Sequence, residues 1–183
     1  MSNIPPSTEN VSTAENQQER LILAGWIVGF VDGEGYFGVS INKNSKTKFG
    51  FQILPEFVVT QGAKSLSSLE CIRKYFDCGR IFVNKRHDNH RENLYRYCVR
   101  NLRDLSTIIV PFFEKHPLKT TKHQDFMRFS RVVEQMIQKK HFSFEGMQSI
   151  ASELHKKLDK NPQRLHARPS EKKEDIVRSH GRP

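Results

Sequence analysis

Asp32-Gly33-Glu34-Gly35 sets two carboxylates alternately with two glycines at the end of an apolar run, LAGWIVGFVDGEGYF, residues 23–37. The negative end of a helix dipole favours cations. Carboxylates, with carbonyls that glycine leaves uncovered, are the hard oxygen donors that Mg²⁺ takes. The chemistry such a group can serve is metal-assisted hydrolysis. Taken alone, the four residues read first as a helix stop and turn. Upstream, Gly25 and Gly29 stand four apart, on one face of the same apolar segment. Glycine costs a helix about 1 kcal/mol relative to alanine, so two on one face point to the close approach of another helix.

The surrounding pattern specifies what must position these groups. Residues 18–31 are apolar on most sides, as in a helix buried on more than one face. From Tyr36 the period becomes two: Phe37, Val39 and Ile41 alternate with polar residues. The polar turn 43–48 returns the chain into a strand over 49–61, in which Pro55 should mark a bulge or an unpaired edge. A helix over 64–76 ends at Cys78-Gly79, and a second hairpin follows, with strands 80–87 and 93–100 around the loop HDNHRE. Helices over 103–114, 120–139 and 143–158 complete an α+β fold with antiparallel strands in the order α-ββ-α-ββ-α-α-α. Phe126, Phe129, Val133, Met136 and Ile137 form a core stripe on the middle one.

Composition bounds the class. The chain has 183 residues with 30 Lys+Arg against 20 Asp+Glu, a net charge of +10. Net charges of −2 on residues 1–20 and +4 on 160–183 leave +8 for 21–159, so the excess belongs to the folded part and suits a polyanion. No apolar run reaches the length of a membrane span, and no signal peptide is expected. Three cysteines without CxxC spacing suit a reducing compartment and argue against a zinc site. The expected organisation is a disordered leader over 1–16, one domain over 17–159 and a basic disordered tail over 160–183.

The string Ile27–Gly35, IVGFVDGEG, with two hairpins and a helix after it, resembles the LAGLIDADG homing endonucleases over about residues 18–140. The resemblance implies an α-ββ-α-ββ-α core whose four-stranded antiparallel sheet forms a DNA-binding saddle, plus C-terminal helices. A single motif implies a homodimer that pairs its motif helices through Gly25, Val28, Gly29 and Asp32. It further implies Mg²⁺ as cofactor, held by Glu34 and the Gly33 carbonyl, with Asp32 chiefly a cap. Gln61, in FVVTQ, matches the family's polar water-positioning residue. Either Lys119 or Lys122, in PLKTTKHQDF, matches its lysine, and spacing leaves the two open. A basic residue is common in the family where Ser65 stands, one position from Lys64. The implied activity is site-specific double-strand cleavage of a long pseudo-palindromic DNA site in intron homing. The host compartment would be a chloroplast, a mitochondrion or a microbial cytoplasm. The alternative is an RNA-splicing maturase of the same fold, with intron RNA as partner.

Strand parity then selects a DNA-facing surface. If Phe37, Val39 and Ile41 point inward, Ser40, Asn42 and Asn44 point outward, joined by Gln52, Glu56 and Val58 on the next strand. On the second hairpin, Arg80, Asn84, Arg86, Arg96, Cys98 and Arg100 share that face. Amides and guanidiniums are the groups that read base edges in the major groove. Lys43, Lys46, Lys48, His87, His90 and Arg91 lie in turns and are expected at phosphates.

Overall fold

The computed structural model describes residues 8–84 and 93–155, with side chains from Glu15 onward except those of Asn84 and His155. Arg86, the loop 87–92 and the tail 160–183 lie outside the described residues.

Helix α1 (Thr8–Glu34) turns Ala24, Ile27 and Val31 into the core at helical spacing. It starts ten residues before the helix expected over 18–31, inside the leader expected to be disordered. Residues 8–20 contain neither Gly nor Pro and carry Glu, Gln, Ala and Arg, which propagate a helix once a packed end has nucleated it. Low hydrophobicity there argues against a core, not against a helix.

The chain passes from α1 into β1 (Gly35–Lys43) without a linker. A Cβ on Gly35 would stand 2.5 Å from Val31 Cγ1 and 2.7 Å from the Val31 carbonyl, so the junction requires glycine. The turn that follows closes with the Asn44 N–H donating to the Gly50 carbonyl at 2.8 Å, with Gly50 at φ +72°. Strand β2 (Phe51–Gly62) returns antiparallel. A short 3₁₀ turn leads to α2 (Leu66–Phe76), then to β3 (Arg80–Asn84) and β4 (Leu94–Val99).

The four strands form one antiparallel sheet in the order β1-β2-β4-β3. Pro55 makes no bulge: it pairs with Val39 in an unbroken register. Pairing of β2 with β4 begins only at Phe57, so Pro55 has a strand on one side alone.

Behind the sheet, α3 (Leu102–Asp104), a π-helical turn (Leu105–Ile109) and α4 (Val110–Lys115) run as one stretch. Pro111 has no N–H for the preceding turn and its ring crowds the carbonyl there, which accounts for the widened turn before it. Helices α5 (Lys122–Ile137) and α6 (Phe144–His155) follow.

Phe37 is the hub of the core, its ring 5.1–5.5 Å from those of Phe57, Phe113, Phe126 and Phe129. A smaller cluster of Ile53, Val132, Met136 and Ile150 seats α6. Of the stripe expected on α5, Ile137 alone is exposed. Among the described residues no helix is long and apolar enough to cross a membrane.

Candidate active site and nucleic-acid interface

The last turn of α1 meets the loop before α5. The Asp32 carboxylate accepts from the Lys119 N–H at 2.7 Å, the Thr120 N–H at 3.2 Å and the Thr120 hydroxyl at 2.6 Å. Thr120 Oγ1 in turn accepts from the Lys122 N–H, the first of α5, at 3.2 Å. Burial pushes the Asp32 carboxyl up, but these hydrogen bonds and the Lys122 charge outweigh it and hold the group below its usual value. Asp32 therefore spends its acceptors inside its own chain. Thr120 was not singled out by sequence. Its signal, a threonine two residues before the first turn of a helix, is common to many helix starts.

The same contact separates the two lysines. Lys119 offers Asp32 its backbone N–H. Lys122 directs its ammonium to the Gly33 carbonyl at 3.0 Å, and Glu34 attracts it. Burial lowers the Lys122 pKa and outweighs the pull of Asp32, Glu34 and Asp125. Glu34 is exposed, and its carboxylate makes no hydrogen bond among the described residues. Gln61, half-buried, stands two residues beyond Val59, which pairs with Gly35. It thus shares the end of the sheet where α1 delivers Glu34.

The Glu34 carboxylate and the Gly33 carbonyl are hard oxygen donors of the kind Mg²⁺ takes, although the Lys122 ammonium already sits on that carbonyl. Among the described residues no group of three or more His, Cys, Asp or Glu is gathered at one point. One chain thus offers a partial donor set.

The face of α1 turned away from the core is open. Leu21 and Ile22 are 62% and 66% exposed, and a Cβ on Gly25 or Gly29 would meet nothing within 4 Å. Val28 is partly buried at the flank of this face. The sequence called for burial of this helix on more than one side; the described residues cover one.

On the outward face of the sheet, Ser40, Asn42, Gln52, Arg80 and Arg100 are exposed, and Asn44, Glu56 and Arg96 half-buried. Asn44 Nδ2 donates to Gln52 Oε1 at 2.9 Å, so those two amides engage each other. The backbone of Asn84 has this parity, pairing with Leu94. Val58 and Cys98 share the outward parity yet are 3% and 4% exposed, a departure from the expected open surface. Glu56 lies over Cys98, with Oε2 at 3.7 Å from its Sγ.

An acid-ended helix running straight into a four-stranded antiparallel sheet is the architecture that the motif's resemblance implied. The chain belongs to the LAGLIDADG endonuclease family, whose model matches residues 27–133, more than half its length. It is 34% identical to "Probable intron-encoded endonuclease 2" of Neurospora crassa over 68% of this chain and 27% of that protein. To homing endonuclease I-ApeII of Aeropyrum pernix it is 28% identical, over 63% of this chain and 65% of the relative. The chain thus spans about a quarter of the Neurospora relative's length. Among solved structures, that of the homing endonuclease I-TnaI superposes with a TM-score of 0.64 at 37% identity, covering 78% of this chain and 97% of that one. The meganuclease I-SmaMI bound to uncleaveable DNA superposes at 0.66 with 29% identity, covering 71% of this chain and 42% of its own.

Proposed function

We propose that this chain is a site-specific DNA endonuclease that works as a homodimer. It hydrolyses a phosphodiester in each strand of a long pseudo-palindromic site, with Mg²⁺ as cofactor, in the service of intron homing. The observation that carries this reading is the meeting of three groups at one end of the sheet. There Glu34 is exposed, the Gly33 carbonyl is beside it, and the Lys122 ammonium lies 3.0 Å from that carbonyl.

Glu34 and Gly33 would hold the metal, which when bound would activate water and stabilise the leaving oxygen. Lys122 brings a positive charge to the point where a phosphate would carry negative charge. Gln61 presents an amide able to orient a water. The open face of α1 supports pairing with a second copy, because Gly25 and Gly29 permit close approach of two helices. Pairing there brings two Glu34 side chains to one axis, one for each DNA strand. The outward basic sheet face supports double-stranded DNA as the partner, doubled along a dimer saddle. Relatives named as intron-encoded support a homing role in an organelle or a microbe.

The test is cleavage of DNA spanning the uninterrupted insertion site, with both strands mapped. The expected result is a double-strand break at one position in Mg²⁺ and none in EDTA, from a protein that sediments as a dimer. Metal-independent cutting, or nicking by a monomer, would overturn the reading.

A further inference from the structure

Three charged side chains meet on the outward face of the sheet, away from the Glu34 end. Phe57 pairs with Val99, so Glu56 on β2 and Arg100 just past β4 face each other across the next step. Glu56 Oε2 accepts from Arg100 Nε at 2.9 Å and forms an ion pair with Arg100 Nη2 at 2.8 Å. Glu56 Oε1 lies 3.7 Å from Arg96 Nη2. The Arg100 guanidinium carbon sits 6.0 Å from the centre of the Phe82 ring. The Glu56 side chain is 23% exposed and that of Arg100 is 60% exposed, so the acid lies beneath and the arginine on top.

This arrangement has a chemical consequence. An arginine free on a basic surface is a flexible charge that meets phosphates wherever they come. Here the carboxylate takes the Nε–H and lies against Nη2, along the side edge of the guanidinium fork. What remains is the end edge, two parallel donors on Nη1 and Nη2. In the major groove that pair matches guanine, which presents O6 and N7 as adjacent acceptors. Glu56 also cancels one of two neighbouring positive charges, which weakens the sequence-independent attraction to phosphates. With its oxygens engaged by arginines, Glu56, expected on the DNA-facing side of the sheet, acts there through Arg100. Stability is a poor explanation for the pair, since exposed ion pairs contribute about 0–1 kcal/mol.

We infer that Glu56 is a positioning residue that fixes Arg100 as the reader of a guanine at one position of each half-site. The inference rests on the DNA-cleaving function proposed above and names one base of its substrate.

The probe is a pool of DNA duplexes with a randomised segment, selected for binding by the full chain. Five proteins are compared: the wild type, Glu56→Gln, Glu56→Ala, Arg100→Ala and the double variant Glu56→Ala/Arg100→Ala. The wild type should enrich one sequence with a guanine at a defined position of each half. Arg100→Ala should flatten that position alone. Glu56→Ala should weaken the same preference by about tenfold, the low end of what one bidentate base contact discriminates. The double variant should lose no more than Arg100→Ala. On a duplex of unrelated sequence, both Glu56 variants should bind more tightly than wild type at low salt. Glu56→Gln, nearly the same shape, keeps the test valid if the alanine variant folds poorly. Glu56 variants that keep every base preference of the wild type would overturn the inference. So would flattening by Arg100→Ala at a position that Glu56→Ala leaves intact. A wild type that enriches no sequence would overturn the DNA-reading function and the inference together.

Discussion

Lys122 Nζ donates to the Gly33 carbonyl at 3.0 Å, tying the first residue of α5 to the penultimate residue of α1. Eighty-nine residues separate them in sequence. The Asp32 carboxylate reinforces the joint from the other side through Lys119 and Thr120. The end of α1 and the start of α5 are therefore held together by hydrogen bonds from both sides. Glu34 projects from that joint into solvent.

This joint divides the two lysines by role. Lys119→Ala leaves the backbone N–H that Asp32 uses and should keep cleavage within about threefold of wild type, a change of under 1 kcal/mol in barrier. Lys122→Met removes the only lysine ammonium recorded at the Gly33 carbonyl among the described residues. It should slow single-turnover cleavage by about 100-fold or more, the scale of losing one positioned charge or donor. Binding of the uncut duplex should change little in either variant. Equal losses for both substitutions would contradict the assignment.

The open face of α1 leads to an effect of opposite sign on folding and association. Neither Gly25 nor Gly29 has a neighbouring atom within 4 Å of a Cβ built on it. Alanine at either position should raise the stability of the isolated chain by about 0.5–1 kcal/mol, its helix-propensity gain. If two copies pair through this face, the same methyl groups separate the helices and weaken the dimer. Sedimentation at several concentrations, beside thermal unfolding, should give a looser dimer built from a sturdier chain. A dimer as tight as wild type would place the interface elsewhere.

Much of the α-ββ-α-ββ order is legible in the sequence because the hydrophobic period switches cleanly between 3.6 and 2 around Tyr36 and Cys78. The motif helix was legible at its end, where Gly and acid residues interrupt it, and not at its start: Pro5-Pro6-Ser7 stands just before Thr8, but the polar residues that follow carry no apolar period to announce a helix. Pro55 shows the opposite limit. A proline in a strand signals a missing partner, but only the pairing register shows that β4 stops two residues away. The choice between Lys119 and Lys122 depends on which side chain leaves the loop toward Gly33, which spacing does not encode. Glu56 had the right parity for a DNA contact. Its capture of Arg100, 44 residues later, depends on the strand order β2-β4 and was out of reach of any local pattern.

His141 provides a pH readout of the C-terminal packing. Its ring lies 4.0 Å from that of Phe142, its Nδ1 is buried without a hydrogen-bond partner among the described residues, and burial holds its pKa below 6.5. As pH falls through 6.5, the unfolded chain takes up this proton before the folded one does, so folding loses stability. Thermal unfolding of His141→Gln should therefore decline less than that of wild type between neutral pH and about pH 5, the range in which histidine titrates. Parallel declines in both proteins would remove His141 from this account.

The central claim is that Glu34 supplies the metal-binding carboxylate at which DNA strands are cut. Its most direct measurement compares wild type with Glu34→Gln on one labelled duplex site, with binding read in Ca²⁺ and cleavage in Mg²⁺. The account predicts equal affinity for the duplex and loss of cleavage by at least about 1,000-fold, more than 4 kcal/mol in barrier. Cleavage by Glu34→Gln at the wild-type rate would contradict it.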